Sequence, residues 1–159
     1  MRFKYGNYKW RLLLLACSER KFNVPHEVPA WDLYDGVAFR LVKALERKEG
    51  QSADLDIRIL SAEYGILSPS SVVRTYNRKM TMKRAKQIGP DIRKDLKATN
   101  ENNKYGEIFI FAGSHYLISL EPIADWCPRH IEIRIAEGRI GEKLKALKNW
   151  VCSPSLLGM

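Results

Sequence analysis

Leu12-Leu13-Leu14-Leu15-Ala16-Cys17 is the stretch on which the fold turns. An apolar run this short, with no polar alternation, suits a strand covered on both faces, as in a parallel sheet between two helical layers. Ile108-Phe109-Ile110-Phe111-Ala112 repeats the pattern, so these two strands are expected at the centre. Leu55, Ile57 and Ile59 alternate with Asp56 and Arg58, and Ile131, Ile133 and Ile135 alternate with Glu132 and Arg134. Those strands read as half exposed and nearer the edges. Helical spacing fills the gaps. Residues 29–48 carry Leu33, Val37, Leu41 and Leu45 between Pro29 and Gly50, and further helices are expected over 81–98, with Gly89-Pro90 as a weak point, over 115–125 and over 139–150. Parallel neighbours need crossover connections. The sequence therefore predicts one three-layer α/β domain over residues 1–159, with a mostly parallel central sheet of at least four strands in the order 2-1-3-4. A basic, aromatic extension over 1–10 and a tail over 151–159 flank it.

Length and composition agree with that reading. A chain of 159 residues with 45% hydrophobic and 28% charged residues should bury about 70% of its unfolded surface, enough for a core without disulfides or a structural metal. Disorder is excluded on the same ground. No apolar run approaches the roughly 20 residues of a bilayer helix. Arg2, Lys4, Lys9 and Arg11 before the leucine run imitate a secretory signal, but its apolar region should span about 7 to 15 residues. Three cysteines at 17, 127 and 152 form no disulfide framework, which points to a reducing, cytoplasmic setting. Cys127 and His130 lack a second pair of ligands at metal-site spacing, so neither a metal nor another cofactor is expected.

The net charge is +9, from 27 Lys and Arg against 18 Asp and Glu. Between Arg74 and Lys104 stand ten Lys or Arg and three Asp or Glu, a balance of +7 that leaves +2 for the rest of the chain. Such a stripe can displace counterions from a nucleic-acid backbone, with Lys79, Lys83, Arg84 and Lys86 as its contacts. A solvated helix with a skewed surface is the other reading of the same charges.

Ligands of open parallel sheets bind beyond the carboxyl ends of the strands. There the first strand is followed by Cys17, Ser18, Arg20 and Lys21, and the second by Ser61, Glu63, Tyr64 and Gly65. The third is followed by Gly113, Ser114, His115 and Tyr116, and the fourth by Glu137, Gly138 and Gly141. Cys17 reads either as a nucleophile beside cations or as a small residue closing a strand, while Ser18 and Lys21 suit a phosphate. Glu63 and Tyr64 are the residue types that N-glycosidic chemistry needs, a carboxylate near the anomeric carbon and a ring to hold the base. The plainer reading of Glu63 is an ion pair with Arg58 or Arg74. Gly113-Ser114 either cradles a phosphate or ribose or only lets strand and helix approach. Trp31, Tyr34, Phe39 and Trp150 read as core, which leaves Tyr76 as a stacking candidate inside the basic segment.

Several of these residues together resemble a known group. Ala16 to Lys21, Pro29-Ala30 with Leu33-Tyr34-Asp35-Gly36 and Phe39, Ile59 to Leu67 with Pro69, Tyr76-Asn77 with Met80, and Glu137 to Leu144 resemble a set of uncharacterised bacterial and phage domains. That set looks related to the YaaA peroxide-stress proteins. The Cys-Ser-x-x-Lys element is more distantly similar to one in the catalytic domain of archaeosine synthase. The likeness spans residues 12 to 150 and implies a YaaA-like fold. Its associations are with DNA binding, oxidative stress and nucleobase modification. Asn77 stands where an aspartate is expected in the related domains, and Glu63 where many carry lysine.

The expected protein binds nucleic acid, DNA or RNA, or a nucleotide, at the carboxyl rim. Ser18, Lys21, Ser61, Gly65, Asn77, Gly113 and Ser114 would hold phosphate or ribose, Tyr64 and Tyr76 the base, and Glu63 and Cys17 would carry any catalysis. The rival is a non-catalytic DNA- or RNA-binding protein whose rim touches backbone alone.

Overall fold

The computed structural model describes residues 10–17, 20–103 and 105–153. The predicted tail is shorter than expected, because the last helix continues through Val151 and Cys152. Most of the N-terminal extension, and Ser18, lie outside the described residues.

Five strands form the main sheet. β1 (Arg11–Ala16) pairs in parallel with β3 (Leu55–Ser61) on one side and β6 (Glu107–Phe111) on the other. β7 (Glu132–Ile135) adds in parallel to β6, and β4 (Gly65–Leu67) adds antiparallel to β3, giving the order β4-β3-β1-β6-β7. The four parallel strands thus follow the predicted order 2-1-3-4, with an unforeseen antiparallel hairpin at one edge. β2 (Val28–Pro29) and β5 (Val72–Val73) make a separate two-stranded ribbon.

The leucine run shows why the domain has three layers. Leu12 and Leu14 enter one core with Ile88, Ile92 and Leu96 of α3 (Met82–Asn103) and Leu120 of α4 (Ser114–Leu120). Leu13 and Leu15 enter the other, with Phe39 and Val42 of α2 (Val37–Glu49) and Leu147 and Trp150 of α5 (Ile140–Cys152). All four leucines are fully buried, each contributing on the order of 1.5–3 kcal/mol of apolar burial.

Three helices differ from the sequence reading. The expected helix over 29–48 is two helices, α1 (Ala30–Leu33) and α2, separated at Tyr34-Asp35-Gly36. Chain pairing causes the break: Phe22 N–H bonds the Leu33 carbonyl, Asp35 N–H bonds the Arg20 carbonyl, and Lys21 bridges Tyr34. The helix expected over 81–98 instead runs unbroken to Asn103 with Pro90 inside it. Its apolar face is packed on the sheet and on α4, and packing outweighs the one backbone hydrogen bond that proline removes. The helix expected over 115–125 ends at Leu120, and a short 3₁₀ turn over Ile123–Asp125 follows a cis Glu121–Pro122 bond. Among the described residues no helix is long and apolar enough to cross a membrane.

Candidate functional site

Three strands end at one rim and bring their last residues together. Cys17 follows β1, and its sulfur lies 3.2 Å from the Tyr76 hydroxyl and 2.9 Å from that of Tyr116 on α4. Ser61, the last residue of β3, stands 2.8 Å from the same Tyr76 oxygen, and Tyr34 stands 2.9 Å from it. Five segments distant in sequence thus meet in one cluster: the Tyr76 hydroxyl touches Cys17, Tyr34 and Ser61, and Tyr116 joins through the sulfur.

Local structure fixes each member. From Ser61 the chain does not go on into a helix but turns back through Ala62-Glu63-Tyr64 to Gly65, which pairs with Ser61. Gly65 takes φ +75°, a left-handed position that a three-residue hairpin loop places on glycine. Ser61 Oγ accepts the N–H groups of Glu63 (3.2 Å) and Tyr64 (3.1 Å). Arg84 braces the loop from below, its guanidinium donating to the carbonyls of Ala62 (2.7 Å) and Glu63 (3.1 Å). Arg84, expected on a phosphate, is thereby a half-buried support of the loop.

Burial sets the electrostatics. It pushes the Tyr34 phenol up to about 12, with the neighbouring Cys17 adding to the rise. Tyr76 is pushed up further by the same two causes in the same order. Both phenols therefore stay neutral and available as donors at physiological pH. The Lys21 ammonium sits 4.5 Å from the Tyr76 ring centroid, and the Tyr64 ring meets Tyr76 edge-on at 5.5 Å. Tyr76 is enclosed on these sides. The outward ring is Tyr64, 41% exposed and anchored by its hydroxyl, which donates to the Arg74 carbonyl at 3.1 Å and accepts the Arg74 N–H at 3.3 Å.

The remaining expected residues lie around this cluster without entering it. The Glu63 carboxylate turns outward to Arg78 at 3.4 Å, with both side chains partly exposed. The expected partners Arg58 and Arg74 are instead paired with Asp56 and Glu27. Gly113 caps α4 and Ser114 opens it, both exposed and one turn from Tyr116. Asn77, Lys79, Lys83 and Lys86 are exposed on the flank leading into α3. Cys17 itself is 6% exposed, so its sulfur lies beneath the rim. The cavity of about 650 Å³ opens elsewhere, at the amino ends of β1 and β3, among Arg11, Glu46, Glu49 and Asp54. Among the described residues no group of three metal-ligating side chains forms.

Two members had no assigned role in the sequence. Tyr34 was placed in the core by its helical spacing, and it is fully buried; only the break at Asp35-Gly36 hints that its hydroxyl turns to the rim. Tyr116 was visible beyond the third strand, but nothing in the sequence tied it to Cys17.

Residues 12–149 match the family of unknown function DUF6884. The chain belongs to that family. The solved structures include a similar fold, the crystal structure of AF0587, a protein of unknown function. Its TM-score is 0.55 at 16% identity, over 91% of this chain and 45% of that one. The chain thus spans about half the length of that neighbour. No curated protein matches the chain.

Proposed function

We propose that the protein binds nucleic acid, or a nucleotide derived from it, across the carboxyl rim of its sheet. The observation that carries this reading is the outward Tyr64 ring, fixed by Arg74 at the head of the basic segment. A rigid exposed aromatic beside lysines is what a base and its phosphate require, since stacking tolerates any base and cations follow the backbone. Tyr64 takes the base, and Lys79, Lys83 and Lys86 take phosphates. Lys21, Asn77, Gly113 and Ser114 form the wall for sugar or phosphate, while the buried Ser61 and Gly65 hold the loop that carries Tyr64. The resemblance to YaaA proteins and to archaeosine synthase adds to this reading, because both are tied to nucleic acid.

A second reading, base chemistry, is favoured by one observation: the buried sulfur of Cys17 lies 3.2 and 2.9 Å from two phenol hydroxyls. Glu63, held by Arg78, would serve as acid or base. Glu63→Gln with undiminished turnover on a substrate would remove that role.

The test of binding is the affinity for a fluorescent oligonucleotide across a salt series. Log affinity falling linearly with log salt is expected, and a flat line overturns the proposal. A mass-spectrometric screen of nucleic acids and nucleosides after incubation tests the chemical reading, where a changed mass is required.

A further inference from the structure

Among the described residues the sheet ends at β7, whose outer edge pairs with no other strand of them. Glu132 N–H bonds the Gly106 carbonyl and Ala136 N–H bonds the Ile110 carbonyl. The even-numbered residues of this segment therefore turn their backbone groups inward to β6. By the two-residue period of a strand, Ile131, Ile133 and Ile135 turn theirs outward. The Ile131 N–H is already bonded to the Pro128 carbonyl. The outward groups left are the Ile131 carbonyl and both groups of Ile133 and Ile135.

The side chains follow the same alternation. Ile131 and Ile133 pack into the core with Ile108 and Ile110, while Glu132 and Arg134 share the opposite face, exposed and 3.3 Å apart. We propose that two copies of this chain pair through β7, antiparallel, about a two-fold axis at Ile133. In that register Ile133 N–H meets the carbonyl of Ile133 in the second copy, reciprocally, and each Ile135 N–H meets the other copy's Ile131 carbonyl. The outward-facing residues thus fall at the hydrogen-bonded positions of an antiparallel ladder, as the pairing requires. Glu132 then stands opposite Arg134 of the second copy at the non-hydrogen-bonded positions, where facing side chains come closest. The segment Ile131-Glu132-Ile133-Arg134-Ile135 is complementary to its own reverse, which is the condition for an isologous contact. No proline blocks this edge, and its two charges attract rather than repel in the antiparallel register.

Sedimentation equilibrium of the full chain tests this. The average mass should climb toward twice the chain mass as concentration rises to the millimolar range. Arg134→Glu, or Glu132→Arg, sets like charges opposite each other at both ends of the contact and should weaken pairing about tenfold or more. The double exchange restores the complementarity and should restore the dimer. Ile133→Pro removes the central edge donor without touching a bond to β6 and should abolish it. A mass that stays at one chain throughout overturns the proposal. So do single reversals that dimerise like the wild type, or a double exchange that melts normally yet stays monomeric.

Discussion

Ser61 Oγ lies 2.8 Å from the Tyr76 hydroxyl. A serine oxygen has two acceptor sites, and the N–H groups of Glu63 and Tyr64 occupy both, which leaves its proton for the Tyr76 or Tyr34 phenol. Tyr76 in turn touches Cys17 and Tyr34. A hydrogen-bond chain thus leads from the hairpin loop to the cluster. Ser61→Ala leaves two loop N–H groups and one buried phenol short of a partner. A loss of about 1–3 kcal/mol in urea unfolding is expected, with a looser Tyr64 and weaker oligonucleotide binding. Wild-type stability would show that the network contributes nothing.

The buried phenols predict an alkaline limit. Tyr34 titrates near 10 when unfolded and at about 12 in the fold. Tyr76 and Tyr105 are raised too, Tyr105 by burial and then by Asp56. A group raised in the folded state gives its full stability below its unfolded value. That stability is lost as pH climbs from about 10 through the folded value, because the unfolded chain then ionises first. Of the seven tyrosines, these three should ionise late and together with loss of the far-ultraviolet signal. All seven ionising in one ordinary phase, before unfolding, would contradict the buried cluster.

Lysines and arginine of one helix should separate. Lys83 and Lys86 are exposed on α3, so each alanine variant should keep wild-type stability and flatten the salt slope of binding by about one unit. Arg84 holds the carbonyls of Ala62 and Glu63. Arg84→Ala should instead cost about 1–3 kcal/mol in unfolding and weaken binding through a disordered loop. Equal effects of all three on the slope alone would place Arg84 back among the phosphate contacts.

Two glycines should also behave differently. A Cβ on Gly106 would run into the Trp10 indole, whereas one on Gly113 would meet open space. Gly106→Ala should therefore cost about 1–3 kcal/mol by overpacking, and Gly113→Ala, which meets no clash but is a poorer N-cap, should cost about 0.5–1 kcal/mol. Any loss of binding in Gly113→Ala then reports a ligand contact rather than a folding defect.

The sheet is legible from apolar period, which the leucine run and the isoleucine alternations state openly. The order of the parallel strands followed from it. The breaks were less visible. Tyr34 leaves the helix because residues 20 to 22 pair with 33 to 35, a long-range contact that no local propensity announces. Pro90 stays in its helix for the opposite reason, since the packed face around Ile88 and Ile92 outweighs a local penalty. At the rim, Cys17, Ser61 and Tyr64 are legible as residue types at strand ends, and Tyr76 as an aromatic inside the basic segment. The direction of the Glu63 side chain and the inward turn of Arg84 were not, because a charged residue reads alike in sequence whether it faces solvent or a carbonyl.

Arg11 shows that limit most sharply, for in sequence it is one more cation before an apolar run. In the fold its side chain is 3% exposed and lies across the amino end of the sheet. It donates to both Asp54 oxygens at 2.9 and 3.2 Å, and to the carbonyls of Trp150 and Val151 at 2.6 and 3.3 Å. Those carbonyls belong to the last turn of α5, and that of Trp150 also accepts the capping Ser153 N–H at 3.3 Å. The guanidinium thus ties the 52–54 loop to the end of α5, and its carbon stacks 4.9 Å from the Trp150 ring. Arg11→Met keeps the stem and removes the charge, taking the guanidinium bonds from Asp54, which keeps the Ser52 hydroxyl, and from the carbonyls of Trp150, which keeps the Ser153 N–H, and Val151. Asp54 is 25% exposed, so water recovers part of its loss, and the cost should fall toward the lower end of about 3–5 kcal/mol. Asp54→Asn should cost less than Arg11→Met, because the arginine keeps its carbonyl partners. Urea unfolding of both single variants and the double variant measures the coupling. Additive losses would mean that Arg11 is held by α5 alone.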